Sequence, residues 1–123
     1  TNRFVTKTIC YHAATMANAI SAKAISTLTN SGYTAFQISA WRPTSHILVF
    51  TSNRRILTQL NLLWGVKAFF YDKFVSTDDT VSDINKMAKE AGFVSKGDFL
   101  INLAAMPVIE KGMVNTLRVS EIE

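Results

Sequence analysis

The sequence predicts an α/β fold of three layers, α/β/α, around a five-stranded, mostly parallel sheet with the last strand antiparallel. Three observations carry this. Amphipathic helix-like segments alternate with short β-rich apolar runs along the whole chain, the pattern of a sheet covered on both faces. The apolar runs end in turns rich in Thr, Ser and Asn, residue types that start a following helix. The last two runs are joined by a loop too short for a parallel crossover, so they pair antiparallel. One domain spanning 1–123 is expected of a 123-residue chain, a length that buries about two-thirds of the surface its unfolded form exposes.

The first helix runs from about Thr6 to Ile20, with Ile9, Ala13, Met16, Ala17 and Ile20 at helical spacing facing the sheet. Ala24 to Leu28 is the first strand. A turn over Asn30 to Tyr33 opens a short helix from about Thr34 to Trp41, which ends before Pro43 because proline lacks the N–H a helix needs. His46 to Thr51 is a continuous apolar run of the central parallel kind. Thr51-Ser52-Asn53 caps the next helix, whose face is Ile56, Leu60 and Leu63, widened by Leu57 and Leu62, and which Gly65 stops. Val66 to Tyr71 is the third strand. Phe74 to Ser76 lead into Thr77-Asp78-Asp79, where carboxylates suit the positive end of a helix with Val81, Ile84, Met87, Ala88 and Ala91 on its buried face and Gly92 as its stop. After a turn at Lys96-Gly97-Asp98 comes the fourth strand, Phe99 to Ala104, then an irregular segment, Ala105 to Met113. Asn115 to Ile122 alternates apolar with polar residues as a half-buried edge strand does.

Composition excludes several classes. With 48% apolar and 18% charged residues and no low-complexity tract, the chain is not disordered. No apolar run is long enough for a membrane helix, and the first residues lack the apolar core of a signal peptide. The net charge of +4 is scattered, and the Arg54-Arg55 pair is followed by no aromatic-basic array, which argues against nucleic acid. A single cysteine, Cys10, allows no internal disulfide and suits the cytoplasm. Cys10 and His12 have no partner at ligand or nucleophile spacing, and Asp78, Asp79 and Asp83 read as helix-end charges, so no metal site and no catalytic residue is assigned. The chain opens on Thr1 without an initiator Met, and an excerpt from something longer is expected.

The candidate site is the turn after the first strand. Thr29, Asn30, Ser31, Gly32 and Thr34 place hydroxyl and amide groups beside the N–H groups of a helix N-terminus, an arrangement that favours an anion such as phosphate, although the same residues also serve as ordinary caps. Ligands in open α/β sheets bind outside the carboxyl ends of the strands. The Thr51 to Arg55 turn and the Ala105 to Lys111 loop lie on that side too, bringing Arg54, Arg55, Lys111 and Gly112 to the rim. No Ser-His-Asp order, paired carboxylates, Walker loop or dinucleotide fingerprint accompanies them. From these residues alone an independent small phosphate-ligand-binding α/β protein is one reading.

Ala22-Lys23-Ala24-Ile25, Thr29-Asn30-Ser31-Gly32-Tyr33-Thr34-Ala35 and Trp41-Arg42-Pro43, followed by Gln59-Leu60-Asn61-Leu62-Leu63-Trp64-Gly65-Val66, Lys96-Gly97-Asp98 and Gly112-Met113-Val114-Asn115-Thr116-Leu117-Arg118-Val119, stand in order along almost all of the chain. Together they resemble the carboxyl-terminal domain of the pyruvate kinase family. The resemblance implies a five-stranded sheet with an antiparallel last strand. It also implies a domain of a cytoplasmic glycolytic phosphotransferase that uses Mg2+ and K+, with its catalytic barrel and lid outside this sequence.

For this domain the resemblance implies two roles, regulation and subunit contact. A phosphorylated effector would place a phosphate on Thr29, Asn30, Ser31, Gly32 and Thr34. Responsive animal and yeast members of the family carry Trp and Arg in the loop matching Ala105 to Lys111, where this chain has Met106-Pro107-Val108-Ile109-Glu110, and some carry Lys at the position of Asn30. A monophosphate therefore competes with a sugar bisphosphate as the expected ligand. Subunit contact, in a tetramer for the whole enzyme and a dimer for the fragment, would run through Asn115, Leu117 and Val119 of the edge strand.

Overall fold

The structure, a computed structural model, describes residues 2–29, 31–73, 76–104 and 116–123. These form α1 (Asn2–Ile20), β1 (Ala24–Leu28), α2 (Tyr33–Ala40), β2 (His46–Thr51), α3 (Arg54–Leu60), β3 (Val66–Phe70), α4 (Thr77–Glu90), β4 (Phe99–Ala104) and β5 (Thr116–Glu121). The strands make one sheet in the order β3-β2-β1-β4-β5. β1 pairs parallel with β2 and β4, β2 parallel with β3, and β4 antiparallel with β5, with Ile101 opposite Val119 and Leu103 opposite Leu117. The predicted fold class holds.

Side-chain alternation sorts the strands' residues into two cores. Ile25, Ile47, Val49, Ile101 and Leu103 face a layer made by α1, α2 and α3, while Ala24, Leu48, Phe50 and Leu100 face α4. Burial on both faces is why the central strands read as unbroken apolar runs. Phe69 of β3 stacks on Phe50, with ring centroids 5.1 Å apart.

Three helices differ from expectation. The side of α1 turned to the sheet is Thr6, Cys10, Ala13, Ala14 and Ala17, all buried, whereas Met16 and Ile20 are 36% and 37% exposed. Small side chains let the helix axis approach the strands closely, so the larger Ile9, Met16 and Ile20 are turned to its flank. α3 stops at Leu60 rather than continuing to Gly65. Asn61 is the reason: its Nδ2 donates to the Leu57 carbonyl at 3.1 Å, and its Oδ1 accepts from the Ala68 N–H of β3 at 2.9 Å. Leu62, expected on the buried face, is 83% exposed in the turn that follows. Ala91, placed on the buried face of α4 by periodicity, caps that helix and is exposed.

Cys10 lies between α1 and the sheet with its Sγ 3.9 Å from the Thr34 carbonyl, and burial pushes its thiol pKa from 9.0 to about 12. The folded thiol holds its proton more tightly than the unfolded one, so its contribution to stability is whole below pH 9 and is lost as pH rises from 9 towards 12. Native protein is therefore expected to resist iodoacetamide at pH 8 and to be alkylated once unfolded in urea. Labelling of the folded chain at the rate of a free thiol would show the burial to be wrong.

Candidate functional site

The order of strands reverses between β1 and β4, because β1 is followed in space by β2 on one side and by β4 on the other. The carboxyl ends of these two strands define the crevice where ligands bind in open sheets. β1 delivers the turn Thr29–Gly32 to this point, and the Thr29 N–H is tied to the Phe50 carbonyl of β2 at 3.0 Å.

Within the turn the side chains organise the backbone. Thr29 Oγ1 accepts from the Gly32 N–H at 3.1 Å and, more weakly, from the Ser31 N–H at 3.4 Å, and Ser31 Oγ accepts from the Tyr33 N–H at 3.3 Å. Each hydroxyl is used here as an acceptor and keeps its own proton as a donor. Gly32 is the N-cap of α2 with φ +82° and makes no side-chain cap. A Cβ there would sit 3.0 Å from Leu60 Cδ2, so the position combines a left-handed backbone with a close approach of α3. Thr34 is buried in the first turn of α2, which places its hydroxyl away from the open surface. Two residues before Thr29, the fully buried Thr27 hydroxyl has no partner among the described residues.

The basic rim is dispersed. Arg54 stacks its guanidinium 3.9 Å from the centre of the Phe70 ring, at the end of β3 and two strands away from β1. Arg55 is exposed at the start of α3, its N–H donating to Asn53 Oδ1 at 3.0 Å. Asn30, Lys111, Gly112 and Asn115 lie outside the described residues. The structure thus gathers Thr29, Ser31, Gly32 and Thr34 at one point and places Arg54 elsewhere.

The acidic residues at the start of α4 go to separate partners. Asp78 Oδ1 meets Arg118 Nη1 at 3.3 Å, the Asp79 N–H donates to the capping Ser76 Oγ at 3.2 Å, and Asp83 Oδ2 accepts from the Tyr71 hydroxyl at 2.9 Å. Burial first, and then Asp83, raises the Tyr71 pKa. Among the described residues no three His, Cys, Asp or Glu side chains converge as a metal site would require, and these carboxylates do not fit one. No helix among them is long and apolar enough to cross a membrane.

One surface was not legible in the sequence. Val5, Ile9, Met16 and Ile20 recur along one flank of α1, opposite the flank where Tyr11 packs edge-on against Trp41 after α2, with centroids 4.9 Å apart. That flank lies on the β5 side of the sheet, where α1 packs over β4 and reaches β5. Leu117 packs against the core beneath it, and Val119 is 43% exposed beside it.

A parallel α/β sheet with an antiparallel edge, a polar turn at the strand-order reversal and an apolar flank beside the edge strand define the class, an α/β domain of the open-sheet type. Residues 7–120 match the family model described as pyruvate kinase, alpha/beta domain, and the chain belongs to the pyruvate kinase family as its carboxyl-terminal domain. It is 37% identical over 109 residues to the pyruvate kinase of Clostridium acetobutylicum, covering 89% of this chain and 23% of that protein. To the pyruvate kinase of Lactobacillus delbrueckii subsp. bulgaricus it is 34% identical over 118 residues, covering 96% and 20%. A crystal structure of Cryptosporidium parvum pyruvate kinase superposes with a TM-score of 0.83 at 26% identity, covering 97% of this chain and 22% of that one. The chain thus spans between a fifth and a quarter of the length of these relatives.

Replacing Gly32 with Ala is expected to cost about 1–2 kcal/mol, from the positive φ together with the contact on Leu60. Gly97, at φ +88° with nothing within 4 Å of a Cβ, isolates the backbone contribution. Urea melts should show the larger loss for Gly32→Ala than for Gly97→Ala; equal losses would remove the close approach from the account.

Proposed function

We propose that this chain is the regulatory and subunit-assembly domain of a glycolytic pyruvate kinase, whose whole enzyme transfers phosphate from phosphoenolpyruvate to ADP in the cytoplasm, giving pyruvate and ATP. Family membership favours this over an independent phosphate-binding protein. The catalytic residues, and the Mg2+ and K+ the reaction needs, belong to parts of the enzyme outside this sequence.

The assembly role rests on a contrast between the two edges of the sheet. On β3 the outward N–H of Ala68 is occupied by Asn61 Oδ1, which blunts that edge against another strand. On β5, Leu117 and Val119 adjoin the apolar flank Val5, Ile9, Met16 and Ile20 of α1. A second copy related by a twofold axis would cover this surface isologously, β5 against β5. In sedimentation the chain is expected to be dimeric, and Val119→Lys, at the exposed position, monomeric with an unchanged fold. A wild-type monomer at high concentration would remove the assembly role.

The regulatory role rests on the Thr29–Thr34 turn, where Thr29, Asn30, Ser31, Gly32 and Thr34, the last through its backbone N–H, would receive a phosphate from a phosphorylated metabolite. Hydroxyl protons and first-turn N–H groups are the donors, aided by the helix dipole. With Arg54 held on Phe70 and Glu110 in place of a cationic clamp, one phosphate group is better served than two. Calorimetric titration should therefore give tighter binding of AMP or ribose 5-phosphate than of fructose 1,6-bisphosphate, weakened about tenfold by Ser31→Ala. No heat from any of the three would leave assembly as the domain's role. Purified chain is expected to form no ATP from phosphoenolpyruvate and ADP, and measurable turnover would contradict the placing of catalysis elsewhere.

A further inference from the structure

Between α4 and the sheet one side chain stands out as polar and fully engaged. Asn102 of β4, 3% exposed, donates through Nδ2 to Ser26 Oγ at 2.8 Å and to Asn85 Oδ1 at 3.2 Å, and its Oδ1 accepts from Ser120 Oγ at 2.7 Å. A single amide thus joins β1, β4, β5 and α4.

Apolar matching selects the register of β5 only in part. A one-residue slip exchanges its two faces and is excluded by side-chain parity. A two-residue slip keeps parity and sets Leu117 opposite Ile101 where Val119 now stands, but it also takes Leu117 away from Leu103 and brings sequence position 115, an Asn, into line with that buried leucine. A second penalty falls on the α4 side. Ser120 leaves its place opposite Leu100, and Arg118 takes it, so a guanidinium replaces the hydroxyl beside a buried amide and the Asp78 contact at 3.3 Å is given up. Ile122, buried in the α4-side core, also opposes the slip, but it lies beyond the last residue of the strand.

We infer that Asn102 is a positioning residue that sets the register of β5 on β4, its hydrogen bond to Ser120 rejecting the two-residue slip that side-chain parity allows. Specifying register is the best-attested use of a buried polar side chain. The inference stands independently of the assembly role; it fixes which residues the open edge presents, whatever meets them.

Disulfide trapping tests it. In a Cys10→Ala background, the pair Phe99→Cys and Glu121→Cys reports the native register, and Phe99→Cys with Val119→Cys reports the slipped one. Wild-type Asn102 is expected to give only the native cross-link. Adding Asn102→Val, or the milder Ser120→Ala should the first fold poorly, is expected to raise the slipped cross-link about tenfold. Ser120→Thr, which keeps the hydroxyl, should restore the native pattern. The inference is overturned if the slipped cross-link stays at its parent level in both variants, or if Ile122→Ala raises it more than they do, which would make Ile122 the determinant.

Discussion

Everything in this domain depends on β1 being buried on both faces between two parallel neighbours. Its backbone groups are spent on β2 and β4, and its side chains alternate between two cores, so no solvent-facing side remains along its length. Solvent-facing polar chemistry is confined to the strand's ends. The turn Thr29–Gly32 stands where it does because β1 stops there and because the strand order reverses beside it. The same burial explains α1, whose small residues at Thr6, Cys10, Ala13, Ala14 and Ala17 allow a helix to lie close on the central strands.

Against that background, the polar groups inside carry most of the specificity. Asn102 is satisfied on both its amide nitrogen and its oxygen and ties four elements together. Such a network costs little when complete and much when broken. The turn at the end of β1 follows the same logic at the surface. Thr29 and Ser31 complete the backbone of their own turn as acceptors, and each keeps its hydroxyl proton.

The two edges of the sheet are treated differently. Asn61 ends α3 and occupies an outward N–H of β3, while β5 is held from behind along α4, through Arg118 to Asp78, Ser120 to Asn102, and Lys89 Nζ to the Glu123 carbonyl at 2.6 Å. Fastened on one face, β5 holds Leu117, Val119 and Glu121 in a fixed register on the other.

The amino-acid sequence by itself determined the element order, the parallel character of the central strands, the antiparallel edge and the family, because these depend on local periodicity, turn chemistry and ordered motifs. It also located the Thr29–Thr34 turn, since hydroxyl and amide residues break an apolar run conspicuously. Only the tertiary structure decided which face of α1 meets the sheet: Ile9, Met16 and Ile20 share helical spacing with Ala13 and Ala17, and the choice between overlapping stripes is made by how closely a helix can approach a sheet. It likewise drew Arg54 away to Phe70, ended α3 at Asn61 and joined Ser26, Asn85, Asn102 and Ser120, residues up to 94 positions apart. Contacts of that kind depend on which strands become neighbours, and no local pattern in the chain encodes them.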